Sequence, residues 1–492
     1  MFSVNTPGFL VFMAVLLLVW YRLPSAKRWY AMLAAGIVFY LSLDIPGFFV
    51  LLASALVVWF CARRAAPDAP GKSGAWFAAG LVAALGPLLL LKYYTMMAGT
   101  LNDLLGLRLW SGSLLQPLGL AYYSLQLTGY LLDVRRGEIS PEPRFARLFC
   151  YASFFLSITQ GPFNRYNDLM PRLDKTPSFD VRNLQYGAMR CAWGYFKKYA
   201  IAERAAIVVN AAFSNPQDMD FSQLVFGVMV FAFQLYADFS GYTDIVLGAG
   251  EMLGLKLPEN FRQPYFSATI GEFWDRWHIS LSSWLRDYIF EPLAWNGWFQ
   301  RLPVVGRFFT KPPVNASLLI TFLVSGFWHG AAWTYVVWGL LNGAYQVVSG
   351  LTRRWRKKTW KRLKVSTKSR AHHAFRVVFV FIFICIGYVF FRAASLSDAL
   401  YYFACMGSRI EFTVFSHYWE LGLTSRLELV LLLAGIAILI LVDALHERGW
   451  HLREKITSSP LPVRWCIYEC AIFAFLLMGR FLSEGTFLYA RF

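Results

Sequence analysis

Long apolar segments, separated by short polar or basic turns, follow one another along the whole chain. Several of them approach the ~20 residues that an α-helix needs to cross a bilayer. Short proline-containing or basic stretches between them are typical turns. The pattern predicts about eleven spans: 9–20, 28–43, 45–61, 75–94, 115–134, 147–159, 222–239, 317–338, 375–391, 427–442 and 466–482. A further segment, 183–214, is predicted to form two tilted or interfacial pieces.

The stretch after residue 268 has a different pattern. Thr269-x-x-Glu272 predicts a helix N-terminus, because it matches a capping box. The threonine hydroxyl can accept from the backbone N–H of Glu272, and the glutamate carboxylate can accept from a backbone N–H at the start of the helix. Helical spacing then predicts that His278 lies on the apolar side. The apolar positions of this helix are Phe273, Trp277, Leu281, Leu285 and Tyr288. Four nearby charges make the helix too polar to span a bilayer, so an interfacial or re-entrant position is predicted.

A second histidine, His329, lies inside the apolar segment 317–338. A histidine at membrane depth is costly unless it meets a partner or a water-filled cavity, which favours a functional role. Gly326 and Gly330 flank it in a G-x-x-x-G pattern. One interpretation is that these glycines do no more than let two helices approach closely. A second interpretation is that they leave room beside the histidine for an acyl chain or the arm of a donor.

Composition agrees with a membrane protein. The 492 residues are 57% hydrophobic and only 15% charged, so an all-α polytopic membrane protein with re-entrant or interfacial helices is predicted. The net charge of +18 indicates basic loops against anionic lipid, since no nucleic-acid-binding motif accompanies it. The loop 353–370 is the most basic and is predicted to be cytosolic. It can lie on anionic headgroups or dock an acidic carrier protein.

Several kinds of chemistry are not supported. The seven cysteines show no C-x-x-C spacing and lie scattered in apolar segments, which argues against a metal site. The chain also lacks a phosphate-binding loop, a dinucleotide fingerprint and a G-x-S-x-G elbow. These absences argue against chemistry driven by ATP or a nicotinamide cofactor, and against a serine hydrolase.

Two sequence motifs carry a resemblance to a known family. W-H-I-S-L-S-S-W-L-R-D-Y around His278 and S-G-F-W-H-G-A-A-W around His329 resemble the two histidine motifs of the membrane-bound O-acyltransferases, bacterial branch. The resemblance covers a motif core of about 117–343, and it touches 390–400 and the C-terminal F-L-Y-A-R-F. It implies one domain over 1–492, with helices forming a ring around a central tunnel. Asn342 departs from the histidine that the alginate type of this branch commonly has there.

The resemblance also implies roles. His329 matches the catalytic histidine and His278 the second histidine. A thioester donor, either acetyl-CoA or an acyl carrier protein, would enter from the cytosol. The acceptor would be an exported polysaccharide or wall polymer, or a periplasmic or extracellular partner that acylates it. The predicted protein is therefore a multi-pass O-acyltransferase of the bacterial inner or plasma membrane. We expect it to transfer an acetyl group and to use no tightly bound cofactor.

The chemistry itself requires a base and oxyanion donors. Imidazole suits removal of an alcohol proton near neutral pH. Indole N–H groups, serine hydroxyls and backbone N–H groups near the glycines can stabilise the oxyanion. Candidate tunnel or substrate residues are Trp274, Trp277, Ser325, Trp328 and Asp244. Asp244 is a candidate because acidic groups near the membrane interior are often functional, although pairing with an arginine such as Arg276 explains it as well.

Three alternatives remain open at this level. D-alanyl transfer from a carrier protein toward teichoic acid uses the same chemistry. A lipid or glycan transporter predicts inverted repeats with matched broken helices, which the sequence does not show. A non-catalytic scaffold that recruits an acetylation partner does not require both histidine motifs.

Overall fold

A computed structural model describes residues 3–68, 71, 73–112, 114–295, 299 and 314–481. Within these residues the chain is helical, and the extended pairing consists of one isolated antiparallel bridge between Phe261 and Trp277. The prediction of an all-α polytopic membrane protein is confirmed. The C-terminal F-L-Y-A-R-F lies outside the described residues.

The chain divides into two compact units, residues 1–192 with 242–259, and residues 193–241 with 260–492. Helices of the first half are α1 Pro7–Arg22, α2 Arg28–Leu43, α3 Ile45–Ala65, α4 Ser73–Leu105, α5 Leu120–Arg136, α6 Phe145–Ala152, α7 Tyr166–Asp174, α8 Val181–Phe196, α9 Glu203–Ser214 and α10 Phe221–Met252. Helices of the second half are α11 Ile270–Arg276, α12 Ile279–Leu285, α13 Glu291–Trp295, α14 Val314–His329, α15 Trp333–Leu351, α16 Arg353–Arg362, α17 Arg370–Arg392, α18 Leu396–Ser408, α19 Arg426–Glu447, α20 Leu452–Ser458 and α21 Leu461–Met478.

Six helices are long and apolar enough to cross a membrane: α3, α4, α10, α17, α19 and α21. Helices α1 and α14 are apolar but shorter. These are the spans that length and composition identify within the described residues, fewer than the eleven predicted. The difference comes partly from predicted spans that the structure breaks into shorter helices.

In the first unit, α3, α4 and α5 pack together. Asp44 starts α3, because its carboxylate accepts a hydrogen bond from the Gly47 N–H at 2.9 Å. The other carboxylate oxygen accepts from the Leu118 N–H at 2.8 Å. One cap residue therefore fixes both the start of a membrane helix and the segment that leads into α5.

The predicted span 147–159 is wrong. Helix α6 ends at Ala152, and buried turns follow. The Ser153 hydroxyl bonds back to the Phe149 carbonyl at 2.7 Å, and Asn164 bonds to the Ser157 hydroxyl at 2.6 Å. The Ser157 hydroxyl and the Asn164 amide also donate to the Pro162 carbonyl, at 2.9 and 3.1 Å, so side chains satisfy a backbone group outside any helix and the segment can stay buried.

Between α8 and α9 the chain forms a π-helical turn, Lys197–Ala202, rather than a loop. The wider turn carries two lysines that are both buried. In the second unit, the Lys198 ammonium lies 2.8 Å from Asp238 and 2.7 Å from Glu203. The buried charge is thus compensated by two carboxylates, as burial requires.

The predicted span 317–338 is also wrong, because it is a hairpin of two helices. Helix α14 ends at His329 and α15 begins at Trp333, and the two pack along each other. Gly326 and Gly339 face one another, where a Cβ on either would overlap the opposite helix backbone. A Cβ on Gly330 would overlap the Tyr335 ring. The space beside these glycines is therefore filled by α15, and their role as close-approach residues is what the structure supports.

A buried carboxylate ties the start of α10 to the loop after α18. Asp220 accepts hydrogen bonds from the Thr413 N–H at 3.0 Å, from the Thr413 hydroxyl, from the Ser222 hydroxyl at 2.7 Å and from the Gln223 N–H at 3.0 Å. Burial alone would raise the pKa of Asp220, but these bonds outweigh it and hold that pKa at about 2.

We expect Asp220→Ala to lower the free energy of unfolding by about 1–3 kcal/mol, because buried donors lose their acceptor. In the wild type, this contribution is complete above the ordinary carboxyl pKa near 4 and is lost as the pH falls toward 2. Thermal unfolding in detergent between pH 2 and pH 7 measures both effects. The exposed neighbour Asp218 supplies the control, Asp218→Ala, and equal losses in the two variants would contradict the role of Asp220.

Candidate active site

Helix α11 starts as its sequence predicts. The Thr269 hydroxyl accepts from the Glu272 N–H at 3.0 Å, and the Glu272 carboxylate accepts from the Ala268 N–H at 2.8 Å. At its other end Arg276 bonds to Glu447 at 2.7 and 3.0 Å and to Glu272 at 2.8 Å. The predicted N-terminus is confirmed, and ion pairs hold the end of this short helix.

The predicted continuous helix through His278 is wrong. Helix α11 ends at Arg276 and α12 begins at Ile279. His278, between them, has φ 46° and ψ 50°, the left-handed region that a residue with a Cβ rarely adopts. Such strain is held only by surrounding structure, here by the antiparallel segment around Phe261. Each helix has seven residues, about 10 Å, too short to span a bilayer.

His278 is nonetheless buried, as predicted, with 1% of its surface exposed. Its ring centroid lies 4.7 Å from that of Phe239, edge to face, and 5.7 Å from that of Trp328. His278 lies outside the six candidate spans, and burial lowers its pKa to about 3. The imidazole is therefore neutral near pH 7 and can donate one hydrogen bond and accept another.

His329 is the last residue of α14 and is 3% exposed. Three aromatic rings surround it, with centroids 4.9 Å away for Trp328, 4.9 Å for Trp338 and 5.5 Å for Phe391. Trp328 thus contacts both histidines. The two motifs, which are far apart in the sequence, converge on a single indole inside the second unit.

A narrow aromatic cleft adjoins these rings. Its empty volume is about 270 Å³, which includes space open to solvent, and no part of it is wide enough for a water molecule. Trp338 and Phe391 belong both to this cleft and to the surroundings of His329. Its lining residues are Leu235, Phe273, Trp274, Trp277, Trp338, Asn342, Ile384, Tyr388 and Phe391.

Two polar groups of the cleft have no hydrogen-bond partner within the described residues. One is the Trp274 indole N–H and the other is the Asn342 carbonyl oxygen. The Asn342 amide nitrogen donates to the Trp338 carbonyl at 2.8 Å, which sets the direction of its side chain. Buried polar groups are rarely left unsatisfied, so this donor and this acceptor are candidate hydrogen-bonding groups for a bound ligand.

The other predicted site residues fall in different places. Trp274 and Trp277 line the cleft, and Trp328 joins the two histidines. Ser325 is buried one helical turn before His329. No group of three or more His, Cys, Asp or Glu side chains within the described residues could hold a metal ion.

Asp244 belongs to the first unit, whereas both histidines belong to the second. Arg190 pairs with it at 2.9 Å, with Glu251 at 2.8 Å and with Glu259 at 2.5 Å. Arg276 pairs with Glu272 and Glu447 instead, so the suggested partner of Asp244 is wrong although pairing with an arginine is right. This ion-pair cluster gives Asp244 a structural explanation.

Sequence reasoning missed three contributors: Trp338, Phe391 and Asn260. Phe391 comes from α17, 62 residues after His329, and no local pattern connects the two. Hydrophobicity places Trp338 at the end of a predicted span, whereas it lies in the returning helix α15. Asn260 precedes α11 and bonds to α12, a contact that no helical periodicity can reveal.

The fold and the site define a polytopic membrane enzyme with two histidines buried among indoles. The profile of the membrane-bound O-acyltransferase family matches residues 134–396, which include both histidines. The chain belongs to this family and is an O-acyltransferase. His278 and His329 therefore lie in the part of the chain that the family shares.

Individual relatives support the same family assignment. The "probable alginate O-acetylase AlgI" of Azotobacter vinelandii is 32% identical over 372 residues, which cover 74% of this chain and 69% of that protein. A peptidoglycan O-acetyltransferase of Helicobacter pylori is 30% identical over 66% of this chain and 63% of its own length. A teichoic acid D-alanyltransferase of Bacillus subtilis is 27% identical over 57% of this chain and 69% of its own length.

Proposed function

We propose that this protein O-acetylates a polysaccharide outside the cell, using an acetyl thioester from the cytosol. The convergence of both histidine motifs on Trp328, beside an aromatic cleft with an unsatisfied donor and acceptor, is the observation that carries the proposal. The relatives named for alginate and peptidoglycan O-acetylation match more of this chain than the D-alanyltransferase does. They support acetyl over D-alanyl transfer.

In the proposed reaction, an acceptor hydroxyl attacks the thioester carbonyl. His329 removes the hydroxyl proton as the C–O bond forms, and it returns that proton to the thiolate when the C–S bond breaks. The products are an acetyl ester and a free thiol, so no metal or redox partner is needed. A general base must be neutral, and the aromatic rings around His329 would solvate a charged imidazole poorly.

Two other groups serve the acyl carbonyl in this proposal. The Trp274 indole N–H, a donor without a partner in the described residues, would stabilise the oxyanion. His278 can donate a hydrogen bond from its neutral ring, and it contacts the same indole that contacts His329. The donor is either acetyl-CoA or a carrier protein, and the acceptor is either the polymer or an extracytoplasmic acyltransferase that passes the group on.

The experiment that tests this function is the chemical analysis of cell-surface polymers from cells with and without the protein. Mild alkali releases ester-linked groups, and acetate and D-alanine are then measured separately. Loss of acetate in the deletion strain is expected. Loss of D-alanine instead would favour teichoic acid as the acceptor, and no loss of either would overturn acyl transfer to a surface polymer.

The basic helix α16 is proposed to face the cytosol in the bacterial inner or plasma membrane. None of its residues is buried, and its tryptophan Trp355 is 67% exposed. This surface fits anionic headgroups or an acidic carrier protein. We expect a cysteine placed at Lys358 to resist a membrane-impermeant maleimide in intact cells and to react after lysis. Ready labelling from outside would contradict the proposed topology.

A further inference from the structure

The segment that precedes α11 forms hydrogen bonds that hold α11 and α12 apart at His278. Residues 260–262 run antiparallel to residues 276–279, joined by the bridge between Phe261 and Trp277. The Arg262 N–H donates to the Arg276 carbonyl at 3.0 Å, and the Ile279 N–H donates to the Asn260 carbonyl at 3.0 Å. The chain on both sides of His278 is thus bonded to one short extended segment.

Asn260 also caps α12 with its side chain. Its amide oxygen accepts from the Ser280 N–H at 3.2 Å and from the Ser280 hydroxyl at 2.5 Å. A helix is ordinarily capped by the side chain of its own N-cap residue. That residue in α12 is His278, whose side chain makes no cap bond. The cap of α12 comes instead from a residue 18 positions earlier in the chain.

This arrangement explains how His278 keeps its left-handed backbone. A residue with a Cβ adopts that conformation only where neighbouring contacts over-determine it. The contacts from Asn260 fall on the two residues directly after His278. On the other side, the ring of Phe261 lies 5.0 Å from that of Phe239, which packs on the His278 ring at 4.7 Å. Asn260 is itself completely buried.

We infer that Asn260 is a positioning residue of the acyltransferase site. By capping α12 in place of His278, it releases the imidazole from helix capping and holds it between Phe239 and Trp328. The inference rests on the proposed function for its kinetic consequences, but the geometric role of Asn260 can be tested without any activity. Only the acceptor oxygen of the amide is used, since the Asn260 amide nitrogen has no hydrogen-bond partner within the described residues.

The first test measures acetate released from surface polymers, normalised to folded protein in the membrane. Asn260→Leu keeps the size of the side chain but removes the acceptor, and about a 10- to 100-fold loss is expected from a misplaced His278. Asn260→Asp keeps the acceptor, and in the neutral, protonated form that a completely buried site favours it is expected to restore most of the activity. Ser283→Ala is the control, because that hydroxyl bonds within α12, to the Ser280 carbonyl at 2.9 Å.

A double variant separates positioning from general destabilisation. If Asn260 acts through His278, Asn260→Leu adds little further loss in the His278→Ala background, because the group it positions is already absent. Independent losses that multiply, together with a fall in folded protein, would overturn the inference. So would wild-type acetate release from Asn260→Leu.

The second test reports position alone. His278→Cys is made in a protein whose accessible cysteines, Cys191, Cys466 and Cys470, are replaced by serine. A buried thiol at this position should react slowly with N-ethylmaleimide. The reaction should be at least about tenfold faster with Asn260→Leu, because the chain between α11 and α12 then loses the bonds that hold it in place. Equal labelling rates would overturn the positioning role. If wild-type cells show no polymer acetylation, the proposed function fails while the labelling result still decides this inference.

Discussion

His329→Gln is expected to fold and to leave the surface polymer essentially unacetylated. Glutamine preserves approximate size and some hydrogen bonding but cannot take the proton of the acceptor hydroxyl. Losing a positioned base typically lowers the rate by about 10²–10⁴-fold. His329 is enclosed by Trp328, Trp338 and Phe391, so no solvent base reaches this position easily.

The measurement is acetate released from the polymer, divided by the amount of protein that elutes as a folded species from detergent extracts. His372→Gln is the matched control, since His372 is also buried in the second unit but packs on Trp360 at 4.9 Å. Wild-type acetylation in the His329 variant would remove this residue from the mechanism and leave His278 as the candidate base. Equal losses in both variants would point to folding rather than chemistry.

The second large effect is expected for His278→Ala. We expect transfer to fall by about 10²-fold, the loss typical for one donor to an oxyanion, while folded protein still accumulates. Alanine at this position also has to adopt the left-handed backbone, so the break between α11 and α12 is not relieved by the change. His278→Leu, with a smaller change in volume and no hydrogen-bonding group, separates lost packing from a lost hydrogen bond.

Two results would contradict that role. If His278→Ala fails to accumulate in the membrane while His278→Leu accumulates and is active, the ring serves the core. If His278→Ala accumulates and the polymer is acetylated normally, the imidazole takes no part in transfer. Protein amount and acetate release are therefore measured on the same membranes.

Local signals predicted the helix starts well. The capping box at Thr269 begins α11 as expected, because the two residues that form it lie within one turn and need no distant partner. Helix α2 also has the predicted bounds, Arg28–Leu43, although no side chain caps its start. Polar turns with proline or acidic caps end apolar runs in a way that is visible in the sequence.

Breaks inside apolar runs were not predicted. The run 317–338 reads as one span, yet the chain turns back after His329 so that Gly326 meets Gly339. The run through His278 reads as one helix, yet Asn260 and Phe261 hold it open. In both cases hydrophobicity continues through the break, since the residues on each side remain buried in protein.

The sequence by itself determined the class of protein, the buried position of both histidines and the family. These follow from the length of the apolar runs, from helical spacing and from the residues of the two histidine motifs, which are all local properties. Only the tertiary structure decided that His278 sits in a strained break, that Trp328 joins the two histidines, and that Asp244 pairs with Arg190 rather than Arg276. These features depend on contacts between residues distant in the chain, such as Phe391 with His329 and Asn260 with Ser280. Packing free energy selects such contacts over the regular helix that local propensity favours.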